Sequence, residues 1–275
     1  MKFICPKCKG SLTVAPDGRA VCEAGHSYDR SREGYYNLLL SNVGGVHGDN
    51  REMMLARRAF LDTGAYLPLA RRVADAVADR FLEGGALLDV GCGEGYYTNI
   101  IESRLSKLYS SFEVVGFDIS KDAVKMAAKS NKRLSLAVAS AYSVPVSDGS
   151  FDVVTNLFSP LAREEIHRIL RTGGSFVMAI PAENHLFGLK SAIYKTPYKN
   201  TVEDSTLEGF TLVSSERISY NITLKSKDEI RSLFMMTPYA YRTGREERER
   251  LLSLDTLETQ VEFILFVYEK NKVEN

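Results

Sequence analysis

The chain of 275 residues contains no tryptophan, only four cysteines and no excess of either charge, with 35 Lys+Arg against 35 Asp+Glu. Each shortage excludes something. Zero net charge removes any global electrostatic reason to bind a polyanion, although a local basic face remains open. Residues 1–80 carry 12 Lys/Arg against 9 Asp/Glu, an excess too small to name a partner. No apolar run approaches the ~20 residues needed to cross a bilayer, so no membrane partner is expected. The opening MKFICPKCKG has no apolar core of the kind a signal peptide needs, so the expected compartment is the cytoplasm. A disulfide framework does not suit that compartment. The sequence shows neither an internal repeat nor a low-complexity tract.

What is present begins with the cysteines. Cys5-x2-Cys8, a gap of 13 residues and Cys22-x3-His26 match the ligand spacing of Zn²⁺. Three thiolates and one imidazole make a closed tetrahedral set, so the metal is read as structural. A redox CxxC is the runner-up, but it belongs on a thioredoxin-like βαβ frame. A module of about 30 residues cannot hold itself together by apolar burial alone, and a metal supplies the difference. Such a ribbon either braces a domain or contacts nucleic acid or protein.

Residues 31–50 read as a linker with one apolar patch. Residues 51–83 read as helical, with a cap at Asp49–Asn50, a pause at Thr63–Gly64 and a stop at Gly84–Gly85. From residue 86 strands and helices alternate: ALLDVGCG, a helix from Tyr96, EVVGFDI, a helix from Lys121, LSLAVAS, FDVVTNLF, a helix from Ala162 and GSFVMAI. Continuous apolar strands alternating with helices imply a parallel sheet covered on both faces, that is, an α/β fold. The C-terminal part adds the strands FTLVSSERISYNITL and QVEFILFVYEK around a helix near Asp228–Met236 and the charged segment REERERLLSL.

LLDVGCGEGYY (87–97) is a buried strand running into Gly91-Cys92-Gly93-Glu94-Gly95 and then a helix. Glycines allow a tight turn and a close approach of backbone N–H groups to a ligand. The spacing G-x-G-x-G departs from the dinucleotide G-x-G-x-x-G. Asp89 precedes the loop and Asp118 ends the next strand, where a carboxylate can accept both hydroxyls of a ribose. An acid-rich loop suits a cofactor without phosphate. Cys92 is read as a small packed residue rather than a nucleophile.

This stretch closely resembles the class I S-adenosylmethionine-dependent methyltransferases. The resemblance implies that the glycine loop, with Asp89, Gly91 and Gly93, wraps the amino-acid part of S-adenosylmethionine. It also implies that Asp118 holds the ribose and that Ser140 and Ala141 border the adenine. The expected fold is therefore a class I methyltransferase Rossmann-like, mainly parallel sheet carrying a small N-terminal zinc-binding module. The expected divisions are 1–34 for the ribbon as an RNA-recognition module, 35–83 for a linker and helical segment, and 84–275 for the methyltransferase domain.

Taken in order, the knuckle, REGYYNLL, GDNREMMLARRAFLDTGAYLPL, LLDVGCGEGYYT, FDISKDAVKMAAK, PAENHLFGLK, LEGFTL and MTPYAYR resemble the 23S rRNA guanine-N1 methyltransferases acting on the hairpin loop of helix 35. The likeness runs over essentially the whole chain. It implies zinc ligands at Cys5, Cys8, Cys22 and His26, and cofactor contacts from Tyr66, the glycine loop through Tyr97 and Thr98, and His185. It makes 23S rRNA the partner. Tyr241 stands where relatives often carry Trp, and LFSPLARE departs in detail from their fourth-strand segment. Both departures bear on target choice rather than reaction type.

Guanine N1 bears a proton at neutral pH, so the reaction must remove it while lining N1 up with the methyl donor. Asn156–Pro160 (NLFSP) occupies the place where the target base lies in this fold. It lacks the adjacent prolines of amino-group methyltransferases, so exocyclic amine chemistry is not expected. Phe158 is a candidate to stack a flipped base, with lining the cofactor as its alternative. Glu164 and Glu165 read mainly as an ordinary helix N-terminal pair. His185 is either base or cofactor contact, His167 structural, and His47 unassigned. For RNA the candidates are Lys7, Lys9 and Arg19, Tyr35 and Tyr36, and Arg57 with Arg58; packing of the linker is the alternative for the tyrosines. Two competing functions remain: a small-molecule methyltransferase with a zinc brace, and a non-catalytic binding module on the same scaffold. No feature fixes the oligomeric state; a homodimer is the assembly to test.

Overall fold

The computed structural model describes residues 1–40, 50–202 and 205–272; His47 and Asp49 lie outside them. The N-terminal ribbon is a three-stranded antiparallel sheet of β1 (Thr13–Val14), β2 (Ala20–Val21) and β3 (Ser27–Tyr28). The chain then forms β4 (Tyr36–Asn37), α1 (Arg51–Asp62), α2 (Leu67–Ala78), β5 (Ala86–Val90), α3 (Tyr96–Leu105), β6 (Glu113–Asp118), α4 (Lys121–Ser130), β7 (Ser135–Val138), β8 (Phe151–Leu157), α5 (Arg163–Ile169), β9 (Leu170–Pro181) and α6 (Phe187–Ile193). It ends with β10 (Phe210–Leu224), α7 (Lys227–Met235), a 3-10 turn (Pro238–Tyr241), α8 (Arg245–Ser253) and β11 (Leu257–Lys270).

The main sheet has the order β10-β11-β9-β8-β5-β6-β7-β4. Its pairs from β9 through β4 are parallel, and only the two pairs made by β11, with β9 and with β10, are antiparallel. After β5 the chain moves outward to β6 and β7, then returns to lay β8 on the other side of β5. The strand order therefore reverses between β5 and β8, the position where open α/β sheets bind ligands outside their carboxyl ends.

The helical region divides as its sequence signals direct. Asn50 caps α1 by accepting the Met53 N–H at 2.9 Å. Gly64, at φ +79°, makes the break before α2. α2 ends at Ala78 rather than running to Gly84, and the Tyr109 hydroxyl meets the carbonyls of Ala78 and Phe81 there, at 3.1 and 2.9 Å.

β5 is buried along its whole length and alternates between two cores. Leu87 faces the core built on α2, α3, α6 and α7, whereas Ala86, Leu88 and Val90 face the other. That second core includes Phe3, Cys5, Leu12, Ala20, Cys22 and Tyr36, so the ribbon is one of its walls. The Ile4 N–H donates to the Pro145 carbonyl at 2.8 Å and Phe3 bridges Val146. A fully buried side chain of the size of Phe3 or Leu12 contributes about 1.5–3 kcal/mol. The ribbon, read from sequence as a module ending at residue 34, thus shares a core with the sheet, and the expected linker supplies the sheet's edge strand.

Of the two readings of Tyr35 and Tyr36, RNA contact and packing of the linker, the structure supports packing. Both are buried, Tyr36 pairs with Ala137 of β7, and its hydroxyl donates to the Gly18 carbonyl at 2.9 Å. A buried tyrosine offers no face to a base: Tyr36 fastens the ribbon to the sheet, and Tyr35 packs into the core on the other side.

Candidate functional site

Cys5, Cys8, Cys22 and His26 place their ligand atoms within 4.8 Å of one another. Cys5 Sγ and Cys22 Sγ lie 3.5 and 3.4 Å from His26 Nδ1, and Cys8 Sγ lies 3.5 Å from Cys22 Sγ. Bond lengths of about 2.3 Å to sulfur and about 2.0–2.1 Å to nitrogen put the edges of a tetrahedron at roughly 3.5–3.8 Å, so the donor set fits Zn²⁺. Four protein ligands close the coordination sphere, which makes the site structural. The Tyr28 hydroxyl, 3.2 Å from Cys5 Sγ, supports one thiolate from outside.

The glycine loop follows β5 at the reversal point. Gly91, Gly93 and Gly95 have φ of +70°, +55° and +88°. A Cβ on Gly91 would lie 2.4 Å from the Ser159 Cβ, whereas one on Gly93 would meet nothing within 4 Å. Gly91 therefore lets the loop after β8 press against the glycine loop, and Gly93 opens onto a cradle. Asp118, at the end of β6, borders that cradle: it accepts the Gly93 N–H at 3.0 Å and the Ser120 N–H at 2.7 Å. Ser140 and Ala141 lie beyond the end of β7, Ser140 buried and Ala141 partly so. The Cys92 thiol is buried and its pKa is pushed well up by that burial, in keeping with a packing role.

Asp89 sits beneath the loop rather than on its open side. The Thr98 and Thr155 hydroxyls donate to its carboxylate at 2.5 and 2.7 Å. Burial raises its pKa to about 6, with the two hydroxyls opposing the rise. Thr98 is likewise enclosed, and the pair braces strand to helix across the turn. Glu94, within the loop, is 4% exposed and meets the Arg58 guanidinium of α1 at 2.7 Å. Burial pushes its carboxyl upward and Arg58 opposes the shift.

An aromatic group closes the far side. The Tyr66 hydroxyl and His185 Nε2 are 3.3 Å apart. Phe263 packs on His185 at 4.3 Å, on Tyr66 at 5.2 Å and on Phe158 at 5.1 Å, and Phe158 lies 6.0 Å from Tyr97. The Glu262 N–H donates to His185 Nδ1 at 3.3 Å. Burial and the Lys190 charge lower the His185 pKa to about 3, so the ring is neutral. Its one proton sits on Nε2 and is given to the Tyr66 oxygen, leaving the Tyr66 proton free to be donated elsewhere. This arrangement removes His185 as a proton acceptor. The Tyr97 hydroxyl is buried and has no partner among the described residues. An open glycine cradle, a carboxylate at its rim and an orphaned hydroxyl beside it fit S-adenosylmethionine, which carries a ribose and a charged amino acid.

The remaining candidates separate. Glu165 pairs with Arg168 and accepts the Val144 N–H at 2.8 Å, and Glu164 is exposed and paired with Arg163. Neither faces the cradle as a base, in line with the helix-terminal reading. His167 packs edge-on to Phe210 at 5.5 Å, as a structural histidine does. Arg19 is paired with Asp17, and the Arg57 guanidinium lies 3.9 Å from Met54 Sδ. Arg58, offered as an RNA contact, is instead engaged with Glu94. Lys7 and Lys9 remain exposed on the knuckle, and Lys9 lines a crevice of about 480 Å³ against the main domain. Arg168 in that crevice is fully engaged by Asp148, Glu165 and two carbonyls. Sequence reasoning missed Thr155, Phe263 and the Arg58–Glu94 pair; none of them carries a local signal.

Comparison with known proteins covers both parts. Residues 82–234 match the family model described as a methyltransferase domain, and residues 3–42 match the zinc-ribbon model described as RlmA, N-terminal. The chain is 32% identical over 257 residues to the 23S rRNA (guanine(748)-N(1))-methyltransferase of Streptomyces fradiae, covering 90% of this chain and 89% of that one. It is 30% identical over 274 residues to a Bacillus subtilis (strain 168) protein provisionally named a 23S rRNA (guanine-N(1)-)-methyltransferase, covering 96% of each.

Proposed function

The chain belongs to the 23S rRNA (guanine-N1)-methyltransferase family, and from that premise we propose that it transfers a methyl group from S-adenosylmethionine to N1 of a guanine in 23S rRNA. The observation that carries the reading is the union, over one shared core, of a closed Cys₃His ribbon with an intact cofactor cradle. S-adenosylmethionine supplies a methyl group on a positive sulfonium, an electrophile that needs positioning more than activation.

The protein's part is to hold both partners. The glycine loop takes the amino-acid end, Asp118 accepts the ribose hydroxyls, and Ser140 and Ala141 line the adenine. Tyr66, oriented by His185, and Tyr97 offer hydroxyl protons on the far side. Asp89 and Thr98 act from beneath as a brace. Transfer leaves S-adenosylhomocysteine and N1-methylguanine and releases the guanine N1 proton; His185, Glu164 and Glu165 are all otherwise engaged, so that proton passes to solvent. Lys7 and Lys9 give the ribbon exposed cations for phosphate.

The target is a guanine in the hairpin loop of helix 35, and the work is done in the cytoplasm, where that RNA is made into ribosomes. No described helix is long and apolar enough to cross a membrane. A homodimer is the assembly to test, by light scattering of the purified chain. For the reaction, the protein is incubated with labelled S-adenosylmethionine and 23S rRNA lacking the modification, and the product is mapped by primer extension. N1-methylguanine blocks the Watson–Crick edge, so reverse transcriptase stops at it. Label incorporation with a new stop in the helix 35 loop supports the reading; no incorporation into 23S rRNA refutes it.

A further inference from the structure

Three described residues other than glycine have positive φ: Lys9 at 60°, Phe158 at 67° and Leu186 at 55°. Lys9 closes the knuckle turn, its N–H donating to the Cys5 carbonyl at 2.8 Å. Leu186 is the cap residue before α6, immediately after His185. Phe158 belongs to neither kind of turn, and a bulky aromatic in the left-handed region is strained.

The loop after β8 enforces that conformation. Asn156 accepts the Ser159 N–H at 3.3 Å and donates to the Pro160 carbonyl at 3.2 Å, while the Ser159 hydroxyl donates to the Val90 carbonyl at 2.9 Å. Burial does not account for the strain, because Phe158 remains 45% exposed while it leans on Tyr97 and Phe263. The same loop touches Gly91 through Ser159, which places Phe158 beside the cofactor cradle at the reversal point of the sheet.

We propose that Phe158 is the platform on which the target purine stacks: the strained turn anchors the ring on Tyr97 and Phe263 and presents the rest of it to a base entering beside the glycine loop. The inference rests on the rRNA reading and names the residue that receives the flipped base. A base drawn out of a hairpin loop loses its neighbours, and an aromatic ring replaces that stacking without selecting a sequence. Phe158 thus holds the base but does not choose it.

Two measurements test this on the zinc-loaded full chain. In steady-state methylation of unmodified 23S rRNA, Phe158→Ala lowers kcat/KM by about 10–100-fold, in line with stacking losses elsewhere. Its affinity for S-adenosylhomocysteine, by calorimetry, stays near wild type. Phe158→Tyr restores the rate; Phe158→Leu, apolar but without a π face, does not. The second measurement uses the absence of tryptophan: Phe158→Trp creates a chain with a single tryptophan. Its fluorescence is quenched on adding a 23S rRNA transcript with S-adenosylhomocysteine present. Full activity in Phe158→Leu, or bound RNA without quenching, overturns the platform while leaving the methyltransferase reading intact. Quenching by RNA that is never methylated would refute that reading, and with it the platform for a target base, leaving Phe158 as a stacking contact for bound RNA.

Discussion

Arg58 and Glu94 tie helix α1 to the cofactor loop: the guanidinium Nε lies 2.7 Å from a carboxylate oxygen of a residue that is only 4% exposed. The loop therefore carries a buried charge whose counter-charge arrives from another element. Removing the cation alone leaves that charge unpaired. Arg58→Ala is expected to lower stability by about 1–3 kcal/mol, below the range for a fully buried broken pair because Arg58 itself is 37% exposed to water. It also weakens cofactor binding. Glu94→Gln needs no counter-charge, so the double variant costs less than the sum of the two. Urea denaturation of the four proteins gives the coupling; strictly additive losses would remove the pair from the account.

The ribbon shares its apolar residues with one face of the sheet, but its own geometry depends on four ligands. Cys22→Ser is expected to drop zinc content from one ion per chain to near zero and to expose Phe3, Leu12 and Tyr36. The cradle lies at the carboxyl ends of β5 to β7 and should keep its cofactor affinity, while methylation of 23S rRNA falls. Elemental analysis, dye binding, calorimetry and label incorporation into 23S rRNA read the four effects. Wild-type methylation by the zinc-free variant would show that the ribbon neither reads nor supports the RNA.

Chemistry that is local in the chain is legible in the sequence. Cys5, Cys8, Cys22 and His26 reveal a tetrahedral site through spacing alone, because each pair sits on one tight turn. The strand–glycine–helix order, with Asp118 ending the next strand, likewise specifies a cradle, and the continuous apolar run of β5 marks a strand covered on both faces. What is illegible depends on partners distant in sequence. Tyr36 stays open between RNA contact and packing until Ala137 of β7 is found beside it. Arg58 reads as an RNA contact until Glu94 takes it. Asp89 shows no protein partner in the sequence, and Thr155, on the adjacent strand, is found donating to its carboxylate. In each case the tertiary pairing, rather than the residue type, decides which way a polar group points.

Asp118 lies at the rim of the cradle, with the Gly93 and Ser120 N–H groups holding its two oxygens. Its place in the reading is to accept ribose hydroxyls. Asp118→Ala is expected to weaken S-adenosylhomocysteine binding by about 10–100-fold, the loss associated with hydrogen bonds to a charged group. Adenosine, which keeps the ribose but lacks the amino acid, should lose affinity in proportion. Should adenosine bind the variant as it binds wild type, the effect would lie in loop geometry and the ribose assignment would fail.

His185 gives a pH signature whose sign follows from its burial. Unfolded, an imidazole takes up its proton near 6.5; in the folded chain burial and the Lys190 charge delay this to about 3. Between those values the unfolded state binds more protons than the folded state, so stability falls as pH falls, by up to about 1.4 kcal/mol per pH unit. Asp89 works in the opposite sense. Its raised value of about 6 lets the folded state take a proton before the unfolded state does, so stability gains as pH falls from about 6 toward 3.8. The two partly cancel in wild type, and a single acid titration would hide both. His185→Gln separates them, since a glutamine can accept the Glu262 N–H and donate to Tyr66 without titrating. The stability of this variant relative to wild type should therefore rise steadily as urea denaturation is repeated from pH 7 down to pH 4. A difference that stays flat would mean that the His185 ring takes up its proton in the folded chain as readily as in the unfolded one. Its neutral tautomer, and the Tyr66 hydroxyl direction that depends on it, would then have to be abandoned.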